Sequence, residues 1–407
     1  MSPTRQRTLA ILLSLGVSLP IAAKVILDRV HESDGDTTRL VDTRDAMHAL
    51  LEAGAEPGTK TGEPLGPSAA GAIHRMGPLA PEVAEIFFPA VKPGPAKAQR
   101  FIYDPVAYMV LAPNWHANRR WAEHANGEFE IRQNARGILK DVEVLSTPPD
   151  VRILVTGDSH ISGVVPNCES AANVLEGLVA EQLGARSVES LNAGVGGYNV
   201  YNYLGTLRHF KDLRPDVFIV VIYGGNDFLD TSRLHRHFAG RGPFKIGNIP
   251  AAKIKAMQQA LPRLGAQELN QIAYFVNNPK DEAITAETCI ALIDDMQRES
   301  AALGARLIVA YLPPPLAGQP ACFKEELAET VWTLGIEPEQ VASSDRIADA
   351  ILSATQGRGI PTLDLRPSFR ATAEPLYWYE DYHINTLGHR RVAELLAPLV
   401  VASLSED

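Results

Sequence analysis

Four short segments carry side chains whose types and spacing could serve one reaction. Gly157-Asp158-Ser159 ends a β-type run, Val151–Thr156, and a serine just past a buried strand, after a glycine that permits a tight turn, is well placed to be a nucleophile. Asn192-Ala193-Gly194-Val195-Gly196-Gly197-Tyr198-Asn199 holds three glycines in four residues, so its backbone N–H groups can come close to a developing oxyanion. Gly224-Gly225-Asn226-Asp227 offers a neutral amide donor that polarises a carbonyl without titrating. In Glu380-Asp381-Tyr382-His383-Ile384-Asn385 a carboxylate two or three residues before an imidazole can hold one tautomer while the other ring nitrogen faces a hydroxyl. Each segment also has a plain reading. Ser159 could cap the next helix, the glycines could form an ordinary turn, Asp227 could be a cap, and the acid and histidine could be a surface pair.

What separates the two readings is the set of elements that must carry these residues. Val151–Thr156, Ser187–Leu191, Val217–Tyr223, Arg306–Leu312 and Thr362–Leu365 read as strands, the third an almost continuous apolar run of the kind buried in parallel sheets. Helical spacing appears over Ser170–Leu183 and again over Gly388–Leu404. Alternation of strand and helix implies a parallel sheet covered on both faces, a three-layer α/β/α sandwich. That topology sends the first three segments to one edge of one sheet, and the fourth can reach it from the loop before the last helix.

Together these residues resemble the SGNH/GDSL hydrolase superfamily, whose Ser, Gly, Asn and His lie in four separated blocks in this order. The resemblance spans about residues 150 to 404 and implies a flavodoxin-like sheet. It implies that Ser159 is the nucleophile and His383 the general base, with the Ser159 and Gly197 amides and the Asn226 side chain forming an oxyanion hole. The His-x-Asn-x-x-Gly continuation resembles the branch whose acid sits two residues before the histidine. That favours Asp381 over Glu380, the residue an Asp-x-x-His spacing would select. His160 follows Ser159 where many members carry an apolar residue, and it is expected to matter only through its backbone.

Composition narrows the rest. A net charge of −10, with 45% hydrophobic and 21% charged residues, describes a globular chain without the basic face that nucleic acid or an anionic membrane surface requires. Arg5 and Arg7 precede Thr8–Ala23, sixteen residues without a charge, the layout of a secretory signal or, extended to Leu27, of an uncleaved anchor. The expected organisation is 1–27 signal or anchor, 28–97 linker, 98–148 an accessory segment on the core, and 149–407 the main domain with a helical insertion at about 229–300. Cys168, Cys289 and Cys322 are too few for a disulfide framework, although Cys289 and Cys322 could pair in an exported chain. His235 and His237 lack a third ligand and read as a solvated helix face. His389 reads as a structural neighbour. Tyr377-Trp378-Tyr379 and the tyrosines at 198, 201 and 203 could line a pocket or fill the core.

The expected activity is therefore that of an exported serine esterase acting on O-acyl, including O-acetyl, esters of a small molecule or carbohydrate, periplasmic or secreted and using no metal or organic cofactor. The same residues could instead pass the acyl group to a carbohydrate hydroxyl, as an envelope O-acyltransferase. An inactive scaffold serving as an anchored binding protein is the remaining alternative.

Overall fold

The computed structural model describes residues 75–91, 99–241 and 266–405. The expected signal or anchor, most of the linker and residues 242–265 of the expected insertion lie outside the described residues. Among the described residues no helix is long and apolar enough to cross a membrane.

The chain enters through α1 (Pro81–Phe87) and two antiparallel hairpins, β1 (Phe101–Asp104) with β2 (Tyr108–Leu111) and β3 (His116–Arg120) with β4 (Glu128–Arg132). In the polar stretch from Trp115 to Trp121, His116–Arg120 form strand β3. In β4 Phe129 and Ile131 are buried while their neighbours are exposed, as its alternating sequence requires. The central sheet follows: β5 (Val151–Gly157), the single-turn helix α2 (Ser159–Ser162), α3 (Ala171–Leu183), β6 (Val188–Asn192), α4 (Val200–His209), β7 (Val217–Tyr223) and α5 (Asp227–Phe238). After α6 (Ala266–Asn277) and α7 (Lys280–Leu303) come β8 (Arg306–Leu312), α8 (Pro315–Gly318), α9 (Lys324–Leu334), α10 (Ser343–Gln356), β9 (Thr362–Asp364), α11 (Arg366–Ala371) and α12 (Thr386–Ser403).

The five strands β5 to β9 are all parallel and lie in the order β6-β5-β7-β8-β9. The chain therefore leaves β5 toward one edge and returns past it to build the other. That reversal opens a crevice beyond the carboxyl ends of β5 and β7, the place where doubly wound sheets bind ligands. Alternate residues of each strand enter opposite cores. Leu154, Phe218, Val220, Leu307 and Val309 face a core shared with α4 and α7, which also takes in Tyr108, Met109 and Phe129 of the hairpins. Ile153, Val155, Ile219, Val221 and Ile308 face the core shared with α3 and α12. Side chains of this size contribute about 1.5–3 kcal/mol each when fully buried, so both faces anchor the strand ends that carry the site.

The described part of the expected helical insertion at about 229–300 is helical, with α5, α6 and α7 between β7 and β8, and the long helix α7 buries Cys289, Leu292 and Met296 against the sheet. One expectation changes here. All three cysteines are free, with Cys289 deep in that core, so Cys289 and Cys322 do not pair.

Candidate active site

Ser159 opens α2 immediately beyond β5. Asp158 caps this single turn, its carboxylate accepting the His160 N–H at 2.8 Å. The three glycines of the next segment act for different reasons. A side chain on Gly194 would meet the Ser162 backbone N at 2.6 Å and the Ile161 backbone C at 2.8 Å, so the glycine turn lies directly against the turn bearing Ser159. A Cβ on Gly196 would sit 3.6 Å from the Ser159 Cβ, and Gly197 has φ +85°, in the left-handed region. From the end of β7, Asn226 enters the same crevice. It is largely buried, its Oδ1 has no hydrogen-bond partner, and its Nδ2 makes only a 3.4 Å contact with Asp230. That leaves the amide N–H₂ with donating capacity.

The acid and histidine arrive on a closed loop. The Trp378 N–H donates to the His383 carbonyl at 2.8 Å, and the Tyr382 N–H donates to the Trp378 carbonyl at 3.1 Å. Asn385 then caps α12, accepting the Gly388 N–H at 2.9 Å. Between Asp381 and His383, Tyr382 takes φ +61°, a left-handed conformation that costs a bulky residue of order 1–3 kcal/mol. This kink brings the Asp381 carboxylate back onto both the main chain and the ring of His383. Asp381 Oδ1 accepts the His383 N–H at 3.1 Å, and Oδ2 lies 2.9 Å from Nδ1. His383 Nε2 lies 2.8 Å from Ser159 Oγ. Serine, imidazole and carboxylate thus form one continuous hydrogen-bonded line. Such a line can draw a proton from the hydroxyl as it attacks and hold the resulting imidazolium.

A family model for GDSL-like lipases and acylhydrolases matches residues 155–391, more than half of the chain. The chain belongs to this GDSL-like lipase/acylhydrolase family. Among solved structures it is similar to LAE5, an alpha/beta hydrolase enzyme from the metagenome of Lake Arreo, Spain, at 14% sequence identity, covering 63% of this chain and 96% of that chain, with a TM-score of 0.36. It is similar to the acetyl xylan esterase AlAXEase at 16% identity, covering 61% of this chain and 100% of that chain, with a TM-score of 0.37. A variant of Axe2, an acetyl-xylooligosaccharide esterase from Geobacillus Stearmophilus, is 12% identical, covering 65% of this chain and 98% of that chain, with a TM-score of 0.37. No curated protein matches the sequence. As a GDSL-like acylhydrolase the chain is an ester-hydrolysing enzyme.

Several residues of this GDSL-like hydrolase contact the site in ways its sequence did not indicate. His160 contributes more than backbone. Its fully buried ring stacks on the His383 imidazole with centroids 4.7 Å apart and on Tyr223 at 3.7 Å, and its Nδ1 accepts the Ile384 N–H at 3.2 Å. Burial, then the neighbouring His383 and His389, push its pKa well below the ordinary histidine value, so the ring stays neutral. Beneath it lie two fully buried carboxyls. Asp158 is raised to about 6, chiefly by burial, and its Oδ2 lies 3.3 Å from Ser159 Oγ. Asp227 is raised well above the carboxylate range by burial and then by Asp158. Asp227 does not cap α5, a position Asn226 holds. Its carboxyl turns back to accept the Tyr223 N–H at 2.8 Å and the Tyr203 hydroxyl.

Glu123, in the loop of the second hairpin, accepts the N–H groups of Tyr379 at 2.6 Å and Glu380 at 2.9 Å. The Glu380 side chain is exposed and makes no bond to His383. Trp378 packs against Trp121 and His124 of the same hairpin and donates its indole N–H to the Val164 carbonyl.

The remaining candidates sort by burial. Tyr377, Tyr198, Tyr201 and Tyr203 are core residues, Tyr377 donating to the Pro313 carbonyl and Tyr198 to that of Met109. Of the three aromatics before the acid, Tyr379 is exposed. His389 is buried, accepts the Ala171 N–H at 3.1 Å, and has its pKa pushed down to about 3, first by burial. His235 does not belong to a solvated face. It is buried against Thr288, its Nδ1 3.2 Å from the hydroxyl, while His237 two residues on is exposed. Among the described residues no three His, Cys, Asp or Glu side chains gather as a metal site would require.

Proposed function

We propose that the chain is a serine esterase that hydrolyses O-acyl esters, O-acetyl esters among them, through an acyl-enzyme on Ser159. The observation that carries this reading is the unbroken line from Asp381 through His383 to Ser159 Oγ, at 2.9 and 2.8 Å, at the switch point of the sheet. In the proposed cycle His383 Nε2 takes the Ser159 proton as Oγ bonds to the ester carbonyl carbon. The oxyanion is met by the amides of Ser159 and Gly197 and by the Asn226 side chain. Collapse breaks the bond to the alcohol oxygen, which receives the proton from the imidazolium. Water then repeats the sequence on the acyl-enzyme and releases the acid. Asp381 holds the His383 tautomer throughout and stabilises its charged form.

The test pairs wild type with Ser159→Ala on nitrophenyl esters of rising acyl length, with and without a sugar acceptor. Release that disappears in Ser159→Ala is the expected outcome. Release that survives the substitution sinks the reading. Acylated sugar appearing at the expense of free acid would assign the alcohol-acceptor version of the same cycle. We also propose export, supported by Arg5, Arg7 and the uncharged run Thr8–Ala23; fractionation of cells expressing a tagged chain should find it in the envelope or the medium and not in the cytosol.

A further inference from the structure

Two arginines, Arg100 against α2 and Arg119 in the second hairpin, have no carboxylate partner among the described residues, and their position gives them a use. Arg100 lies just before β1, and its guanidinium donates to Ser162 Oγ at 3.3 Å. Ser162 is three residues beyond Ser159 on the same helical turn, a spacing that puts the two side chains on one face, about 5–6 Å apart at Cβ. The Arg100 guanidinium therefore stands one side chain away from the nucleophile, on the same face of α2. Its Nε is buried and unpartnered, and no ion pair to Arg100 occurs among the described residues. It sits over the rings of Phe101 and Trp115, with its central carbon 5.1 and 5.5 Å from their centroids.

The second arginine, Arg119, is held 5.5 Å over the ring of Trp121. In the register of the second hairpin it opposes Phe129, while Ala117 opposes Ile131, and both partners are buried. Arg119 therefore belongs to the inward face of that hairpin, the face that packs against the acid–histidine loop through Trp121 and Trp378. The two cations feel each other: burial first, and then the charge of Arg119, lowers the Arg100 pKa to about 10. Other partly or fully buried arginines among the described residues are paired, Arg152 with Glu189, Arg366 with Asp364 and Arg346 with Glu282. A half-buried guanidinium without an opposite charge is costly, and two together cost more. A fold carries that cost where an incoming anion can settle it, and guanidinium stacked on aromatic rings suits carboxylate or phosphate.

We propose that Arg100 and Arg119 form a recognition wall for an anionic group, carboxylate or phosphate, on the ester substrate. This rests on the esterase reading with Ser159 as nucleophile. The wall belongs to the two hairpins rather than to the sheet, so it sets which ester is accepted and leaves the chemistry to Ser159 and His383.

The test uses the purified full chain and three acetyl esters of matched leaving-group shape. These are 4-acetoxybenzoate, its neutral methyl ester, and 4-acetoxyphenyl phosphate, the two anions separating carboxylate from phosphate preference. Wild type should favour at least one anionic ester over the neutral one in kcat/KM, and Arg100→Gln should collapse that ratio by about ten- to hundredfold, the size of one charge-assisted hydrogen bond, mainly through KM. Arg119→Gln, which disturbs less packing, should lower it in the same direction. Free benzoate or phosphate should inhibit neutral-ester hydrolysis competitively in wild type, and more weakly in both variants. Equal kcat/KM on charged and neutral esters in wild type, or a parallel fall on all three esters in both folded variants, overturns the proposal. Neutral-ester turnover that persists in Ser159→Ala overturns the esterase reading instead, so the two failures are distinct.

Discussion

Replacing Asp381 by asparagine should disable the enzyme while Glu380→Gln leaves it working, although the two acids are adjacent. Asp381 makes two contacts with His383, Oδ2 to Nδ1 at 2.9 Å and Oδ1 to the main-chain N–H at 3.1 Å. The first is a charge-assisted hydrogen bond once His383 accepts a proton, worth about 1.5–3 kcal/mol, or about 10- to 150-fold in rate. Asparagine also turns an N–H₂ toward Nδ1, which favours the tautomer whose proton sits on Nε2 and points at Ser159 Oγ. In a serine triad that inversion takes the loss to about 10⁴-fold. The Asp381 side chain keeps 26% of its surface exposed, so water can soften both effects. The expected fall in kcat is about 10²- to 10⁴-fold with KM little changed. Glu380→Gln should stay within about twofold, as for other solvent-facing changes. Initial rates on 4-nitrophenyl acetate measure both, with circular dichroism and thermal melts showing that each variant is folded. An inactive Glu380→Gln beside an active Asp381→Asn would refute the assignment.

Three other outcomes follow from the surroundings of the site. His160→Phe should keep the ring contact with His383 but strand the buried Ile384 N–H, at about 1–3 kcal/mol; a lower melting temperature with reduced kcat is expected, and unchanged kinetics would count against His160 as a positioning residue. Gly194→Ala should push α2 away through backbone contacts at 2.6 and 2.8 Å, destabilising by about 1–3 kcal/mol in urea titrations and lowering kcat; wild-type stability would show that the turn gives way freely. The buried pair Asp158 and Asp227 should make stability fall as pH rises from about 4, the unfolded carboxylate value, through about 6, the folded value of Asp158, because over that window the unfolded chain ionises while the fold retains its protons. Asp227→Asn removes one of the two groups and should flatten that fall. Parallel urea midpoints for both proteins across the window would rule the pair out as its source.

What could be read from the sequence was mostly what the chain determines locally. Val217–Tyr223 and Arg306–Leu312 announce themselves as apolar runs too short for helices and bounded by Gly224 and Pro313, and the strands have those limits. The start of α12 was set two residues late, because Asn385 caps the helix ahead of its first glycine. Asp381 and His383 could be paired on spacing alone, since a two-residue separation leaves few geometries. Long-range roles left no such mark. Glu123 lies in a polar loop far from Tyr379 in sequence, and nothing local says which N–H groups it will cap. His235 looks in sequence like half of an exposed pair, because Thr288 of α7, which buries it, lies 53 residues on. His160 differed from its expected class only by being polar, and its use appears once His383 is laid against it.

The bond from Glu123 to the Tyr379 and Glu380 N–H groups has a practical consequence. Residues 155–391, the stretch that carries the family likeness, begin inside β5 and exclude both hairpins. A fragment cut to that stretch keeps Ser159, Asn226, Asp381 and His383 yet loses the Glu123 carboxylate that holds the N–H groups of Tyr379 and Glu380, just before the last two, and the Met109 carbonyl to which buried Tyr198 donates. A fragment of residues 155–391 should therefore be less stable and less active than a chain that keeps both hairpins, which thermal melts and initial rates on the two proteins would show.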